Sequence, residues 1–578
     1  MSCSMSTRLL FLLPLFHAIA TNCFSSMQPL CHDDDSSTLL QFKESFVMSK
    51  NACIHPFAYP KIASWKLEGD NKDCCSWDGV ECDGDTGHVI GLDLSNSFLY
   101  GSLVSNSSLF GLVQLQSLNL AFNNFSFSQI PSAFSHLSKL TFLNLSKPFF
   151  SGEIPPKFSE LYKLSSLDLS YNPILHLRSL YGLVQNLTNL RDLRLSYVQI
   201  SSPVPEILSN LSNLKTLLLI GCGLYGQFPV GIFKLPKLQY LRMDYNQDLM
   251  GYLLEFYSSN PLKILGVRGT SFFGKLPASI GNLDSLNELW IGSCNFSGHI
   301  PPLLGNLTLL TTLEFYNNHF MGQIPSLLSH LISLNYLDIS ECQLSGSIPS
   351  SLSNLTQLSY LAMCCNQLIG QVPSWLANLT QLTTLALSFN KLEGPFPFSM
   401  FELKKLEVLD LYSNNLSGVV TLDKFSKLKY LTTLLLSMNN ISFLIKSNTN
   451  TSVNKFEVSG LASCNLGHFP DFLCNQDRLQ YLDLSYNNIH GQIPKWVWNT
   501  SKETLRLVNF SHNFLTGFDQ HLSYFPWPQL KILDLRSNKL QSLPPIPPPF
   551  TLLYLVADNM LQGEVSPLIC NLTSLYSL

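Results

Sequence analysis

The sequence predicts an α/β repeat solenoid: a curved superhelix with a parallel sheet on its concave side, 3-10 or short-helix segments on its convex side, and a small disulfide-stapled N-terminal cap. Three observations carry this expectation. Leu286, Leu310, Leu334, Leu358 and Leu382 each open a unit, 24 residues apart. Within each unit the apolar residues keep fixed places, and ahead of the units lies a cysteine-bearing segment that lacks the period. A period of 20–29 residues overrides the prior that 578 residues form three or four domains.

Each unit reads L-x-x-L-x-L-x-x-[N/C]-x-L-x-G-x-[I/V/F]-P, as in Leu382-Thr-Thr-Leu385-Ala-Leu387-Ser-Phe-Asn390-Lys-Leu392-Glu-Gly394-Pro-Phe396-Pro397. This is the leucine-rich repeat. Leucines at the first, fourth and sixth places point into a shared core, and the L-x-L pair has the period of a short strand. Asn at the ninth place can bond backbone groups of its own turn and the next, so a buried bend is not left with unpaired amides. Cys222, Cys294, Cys342 and Cys464 replace it in four units. Gly at the thirteenth place permits a conformation other residues resist, and Pro at the sixteenth fixes φ where no donor is needed. One unit cannot bury its own apolar side, so neighbours do it.

The chain is 46% hydrophobic and 13% charged, with a formal net charge of −4. That is too apolar for disorder and offers no basic excess for nucleic acid or anionic lipid. Residues 1–23 read as a secretory signal: Arg8 is the positive end, Leu9 to Phe16 the apolar stretch, and Ala18-Ile-Ala20 the small-residue cleavage site. Residues 24–88 form the cap. Asp33-Asp-Asp-Ser-Ser-Thr ahead of Leu39 and Phe42 predicts an amphipathic helix with a solvated acidic start. In an exported chain the cap cysteines are bridges for a segment too small to hold itself. Adjacent Cys74 and Cys75 do not easily bond to each other, so Cys31–Cys74 and Cys75–Cys82 are expected; Cys53 is left over, and other connectivities stay open. A zinc site at Cys74, Cys75 and Cys82 lacks paired C-x-x-C spacing, and no metal or cofactor is expected.

Residues 89–578 are repeats. Units open at Val89, Leu115, Leu140, Leu164, Leu190, Leu214, Leu238, Leu262, the five leucines named above, Leu406, Leu431, Phe456, Leu479, Leu505, Leu530 and Thr551, which makes about twenty. Beyond each strand, the Pro and the N-L-[ST]-x-L segment should run extended and then as 3-10 or short helix. The Pro-rich segment from Pro544 to Phe550 falls at such an outer crossover. Leu575-Tyr-Ser-Leu578 starts a further unit with no C-terminal cap after it, so the expectation is a truncated ectodomain.

The cap layout, with Leu39-Leu-Gln-Phe-Lys and C-C-x-W-x-G-V-x-C, resembles that of plant extracellular leucine-rich-repeat proteins, and the G-x-I-P tails are similar to the same subclass. The insertion holding Cys53 resembles Cf-type disease-resistance receptor-like proteins. The resemblance implies an extracellular sensor without a kinase of its own. It would bind a peptide, protein or glycan elicitor on its concave face and signal through partner receptor kinases, most often in defence. It also implies a membrane helix beyond this sequence; without one the product would be apoplastic. A similarity to polygalacturonase-inhibiting proteins gives the competing expectation of a secreted enzyme inhibitor, and a soluble decoy is a third.

No H-E-x-x-H, G-x-S-x-G or Gly-rich phosphate loop occurs, so no enzyme is expected. Fifteen N-x-[ST] sequons are candidate glycosylation sites: Asn106, Asn124, Asn144, Asn186, Asn210, Asn295, Asn306, Asn354, Asn378, Asn415, Asn440, Asn450, Asn499, Asn509 and Asn571. Asn186, Asn210, Asn306, Asn354, Asn378 and Asn571 share one outer slot, whereas Asn144 and Asn509 fall on the strand face.

The binding expectation rests on the fifth place. In plain units it is Asp followed by Leu or Ile and Ser, as at Asp168, Asp338 and Asp483. From the fifth to the tenth unit it becomes Arg194, Leu218, Arg242, Gly266, Trp290 and Glu314, surrounded by Arg191, Tyr197, Tyr240, Tyr245, Arg268, Glu288 and Tyr316. Tyr, Trp and Arg are the side chains that most often dominate binding energy.

Overall fold

The computed structural model describes residues 30–53, 55–67, 73–444, 454–520, 523–564 and 567–577. The expected secretory signal and Asn450 lie outside them.

Twenty short strands, from Val89–Asp93 to Leu553–Leu555, pair in parallel in chain order and form one open sheet along the concave side. The 24-residue period fixes the register, so fourth-place leucines stack in file: Leu241 on Leu265, Leu265 on Leu289, Leu289 on Leu313. All four are fully buried, each contributing roughly 1.5–3 kcal/mol.

The ninth-place Asn joins neighbouring turns as inferred. Asn246 Oδ1 accepts from the amides of Cys222 and Leu224 one unit back, and its Nδ2 donates to the carbonyls of Leu219 and Met243. Asn318, Asn366 and Asn487 repeat the pattern. Where Cys222 stands instead, its thiol donates to Leu195 O at 3.2 Å, and burial pushes its pKa up to about 12, so it stays a donor.

A second parallel sheet was not foreseen from the sequence. Ten strands, from Gly226–Gln227 to Asn440–Leu444, run between the concave sheet and the convex side. Thirteenth-place glycines lie in it, among them Gly298 and Gly322 at φ +83° and +81°. Each sixteenth-place Pro then starts a 3-10 helix, such as Pro302–Asn306 after Pro301, and these helices stack along the convex side. The Pro-rich segment is tied in as well, with the Tyr554 hydroxyl donating to Pro545 O at 3.2 Å.

The cap closes the N-terminal end. Helix Asp33–Glu44 buries Leu39 and Phe42, Trp65 and Trp77 stack at 5.5 Å, and disulfides join Cys31 to Cys74 and Cys75 to Cys82. The acidic helix start is only partly solvated: Asp35 is buried, and its carboxylate accepts from the Val89 amide at 2.9 Å and meets His88 Nδ1 at 3.1 Å, which fastens the helix to the first strand. Cys53 is unbridged and buried, its thiol 3.4 Å from Asn96 Oδ1. Among the described residues no helix is long and apolar enough to cross a membrane.

Candidate functional site

Odd places of each unit's strand and the seventh place just after it line the concave surface. In units seven to ten these places form a connected network rather than a scatter of polar groups. Arg242 Nε donates to Asp244 Oδ2 at 2.8 Å, and its guanidinium lies 5.4 Å from the ring centre of Trp290, two units on. The intervening unit carries Gly266, where a Cβ would stand 2.7 Å from Asp244 Oδ2 and 3.1 Å from Arg242 Nε. The same device recurs one unit later. Arg268 reaches past Gly292 to Glu314, 3.1 Å away, and lies between Tyr245 and Tyr316 at 5.3 and 5.4 Å from their ring centres. A Cβ on Gly292 would meet the Tyr316 ring at 2.6 Å and Glu314 Oε1 at 2.8 Å. Two glycines thus make room for two arginines to span three units each.

Burial sets the electrostatics. Glu314 is 1% exposed; burial pushes its carboxyl up to about 7, with Asp338 and Asp244 adding to the rise and Arg268 opposing it. Burial lowers Arg268, but Glu314 and the flanking tyrosines outweigh it and hold the guanidinium above its usual value. Glu314 Oε1 and Arg268 Nε meet no hydrogen-bond partner among the described residues, so the pair is not saturated. Glu288 accepts from Trp290 Nε1 at 2.8 Å, which fixes the indole plane. Trp290 lies 6.3 Å from Tyr336, which stacks on Tyr360 at 4.2 Å and extends the aromatic surface. Beside Tyr245 and Tyr316 a groove of about 590 Å³ opens, lined also by Gly269, Ser271 and Ser293.

Of the eleven charged and aromatic residues predicted from the sequence, seven meet here: Arg242, Tyr245, Arg268, Glu288, Trp290, Glu314 and Tyr316. The other four do not join the network. Arg194 faces Asp192 at 3.8 Å, Tyr197 meets Tyr171 at a tilt with ring centres 5.1 Å apart, Arg191 is exposed at the strand's edge, and Tyr240 stands in register between Thr216 and Ile264. Asp244, buried beneath the network, and Tyr336 and Tyr360, which extend its surface, were missed. Asp244 had a signal, since it occupies the seventh place where plain units carry Ser; the tyrosines stand at the third place, beyond the segment where the fifth-place pattern breaks.

The six outer-slot sequons are all exposed, as are Asn106, Asn295, Asn415, Asn440 and Asn499, while Asn124, Asn144 and Asn509 are half-buried. The sulfurs of Cys31, Cys74, Cys75 and Cys82 lie within 4.8 Å of one another, a cluster already consumed by the two disulfides.

The model of the leucine rich repeat N-terminal domain matches residues 32–83, and leucine rich repeat models match residues 380–441, 114–137, 285–307, 309–331, 333–355 and 478–500. Receptor-like protein 6 of Arabidopsis thaliana is 47% identical across 96% of this chain and 60% of its own length. Receptor-like protein Cf-9 of Solanum pimpinellifolium is 35% identical across 45% of this chain and 31% of its own. The chain therefore spans about 60% of the length of the first of these relatives, and the relatives are receptor-like proteins rather than enzymes. Among solved structures it is similar to the Arabidopsis receptor kinase HAESA in complex with the peptide hormone IDA and the co-receptor SERK1, with TM-score 0.66 and 25% identity over 93% of this chain and 96% of that one. It is also similar to the plant peptide hormone receptor RGFR1 in complex with RGF2, with TM-score 0.59 and 26% identity over 87% and 82%. The chain thus carries a leucine rich repeat N-terminal domain followed by leucine rich repeats, and it is similar to plant receptor-like proteins, Cf-9 among them.

Proposed function

We propose that this chain is the extracellular, ligand-sensing part of a receptor-like protein, which binds a peptide or protein elicitor on the concave face of units seven to ten and signals in defence through partner receptor kinases. The observation that carries this reading is the pair of arginines, each reaching across a glycine to aromatic rings two units away. A surface of stacked guanidinium and ring planes suits the flat amides and side chains of an extended polypeptide. The titles of two similar structures, receptors in complex with peptide hormones and in one case a co-receptor, support the same ligand class and the dependence on a partner. Secretion, with sugars on the outer-slot sequons away from the strands, belongs to the same proposal.

The test uses the purified secreted chain and a displayed random-peptide library, with enriched peptides re-measured on Arg242→Ala/Trp290→Ala. Truncating two central anchors should weaken binding at least ~30-fold, about 2 kcal/mol, while leaving the melting curve in place. Peptides that bind the double variant as well as the parent would move the site elsewhere.

A further inference from the structure

Between the cap and the first repeats lies a second concavity, a trough of about 660 Å³ lined by rings. One wall is the cap insertion at Cys53 and His55. The opposite side is built by eighth-place side chains of consecutive units, Phe122, Lys147, Tyr171 and Tyr197, with Phe149 on the rim. The eighth place is left-handed in these units, at φ +57°, +63°, +60° and +61°. Bulky L-residues resist that conformation, which Asn or Gly adopts at lower cost. The eighth place is left-handed along most of the stack and carries Phe389, Met438 and Tyr486 elsewhere, so what distinguishes these four successive units is the run of three aromatics and a lysine facing the cap insertion. The rings are not buried by the fold: Phe149, Tyr171 and Tyr197 are 42%, 46% and 38% exposed.

Lys147 supplies the polarity. Its Nζ lies 4.8 Å from the ring centre of Phe122 and 4.6 Å from that of Tyr171, and among the described residues it forms no ion pair with a carboxylate. The trough thus offers aromatic walls with one uncompensated cation between them, in the size range of ligand pockets and at the junction of two structural units. Four units set one strand spacing apart give it a length of roughly 14 Å, about four residues of extended chain. Past Gly221, whose Cβ would stand 3.0 Å from the Tyr197 ring, the eighth-place row leads on to Tyr245 of the concave network.

We propose that this trough is a second binding site, separate from the concave network, which takes an aromatic side chain carried beside a carboxylate on an extracellular polypeptide. It rests on the proposed function only in that the chain meets its partners outside the cell.

The experiment titrates three blocked dipeptides against the whole secreted chain by saturation-transfer difference NMR: acetyl-Trp-Asp-amide, acetyl-Trp-Asn-amide and acetyl-Ala-Asp-amide. Trp-Asp should bind about fivefold tighter than Trp-Asn, the ratio expected of one exposed charge contact. Lys147→Gln should erase that preference and Tyr171→Ser should weaken both Trp peptides, with melting curves nearly unchanged because Tyr171 is exposed and Lys147 only half-buried. Arg242→Ala/Trp290→Ala should change nothing here, so failure of the concave site and failure of the trough are read separately. Equal affinity for Trp-Asp and Trp-Asn, or a preference that survives Lys147→Gln, would overturn the proposal. So would tighter binding of 1-naphthoate than of the dipeptide, which would make the occupant a small aryl acid.

Discussion

At the scale of single residues, Glu314 is the group whose chemistry depends most on its surroundings. Its carboxyl is raised from 4.5 to about 7 because burial disfavours the anion more than Arg268 at 3.1 Å favours it. The folded chain therefore holds this proton more tightly than the unfolded chain does. Below pH 4.5 the group imposes no penalty; stability falls as pH rises from 4.5 to 7, and the full penalty persists above that. Glu314→Gln removes the titration. Denaturant unfolding at pH 5 and pH 8 should show the variant gaining on the parent at the higher pH, by on the order of 3 kcal/mol at most. An equal difference at the two pH values would mean that Arg268 compensates the anion fully. Asp244 illustrates what a residue list omits, since its role comes from total burial, where it accepts from Arg242 Nε and from the Arg268 backbone amide, and not from its exposure.

At the scale of elements, the close stacking of convex 3-10 helices is more demanding than the repeat pattern suggests. Gly305 in Pro302–Asn306 faces the carbonyl of Leu327 in the next helix so closely that a Cβ would overlap it. Backbone on both sides cannot yield as a side chain could, so Gly305→Ala should destabilise by roughly 1–3 kcal/mol. At Gly467 a Cβ would meet nothing within 4 Å, and Gly467→Ala should be near neutral. Thermal melts of the two variants check the contrast. The strands and the Asn ladder were legible in the sequence because each is set by one unit's own leucines and its ninth-place residue. The ten-stranded second sheet was not, because a segment such as Gln367–Gln371 offers one leucine and a glycine, too little for a strand pattern, and becomes a strand only when a neighbour's segment lies alongside. The arginine bridges escaped for a related reason: Gly266 read as a break in the fifth-place pattern, whereas its missing side chain is what lets Arg242 reach Trp290.

At the scale of the whole molecule, each unit touches mainly its neighbours, so stability is distributed along the stack and the ends are its weak points. The cap guards one end with two disulfides, one closing 43 residues of chain, for which the chain-entropy model gives about 4 kcal/mol. Mild reduction should loosen the cap first. Hydrogen exchange would then show lost protection over residues 30–94 while residues 286–397 keep theirs. Cooperative loss along the whole chain would instead mean that the units fold as one. The buried thiols of Cys222, Cys294 and Cys464 sit at ninth places, hydrogen-bonded rather than bridged, so reductant leaves them as they are.

The unequal extent of the two sheets has a mechanical consequence. Units whose backbones are laced twice, through the concave strands and again between Gly226 and Leu444, resist bending as a girder with two flanges does. Outside that span the second lacing thins to short pairs such as Ser151–Glu153 with Ile174–His176 and to single bridges such as Tyr100 with Asn124, and flexure concentrates there. The arginine bridges stand on the rigid girder, while the ring-lined trough stands where the arch can flex, so a partner gripping both would feel one fixed jaw and one that gives.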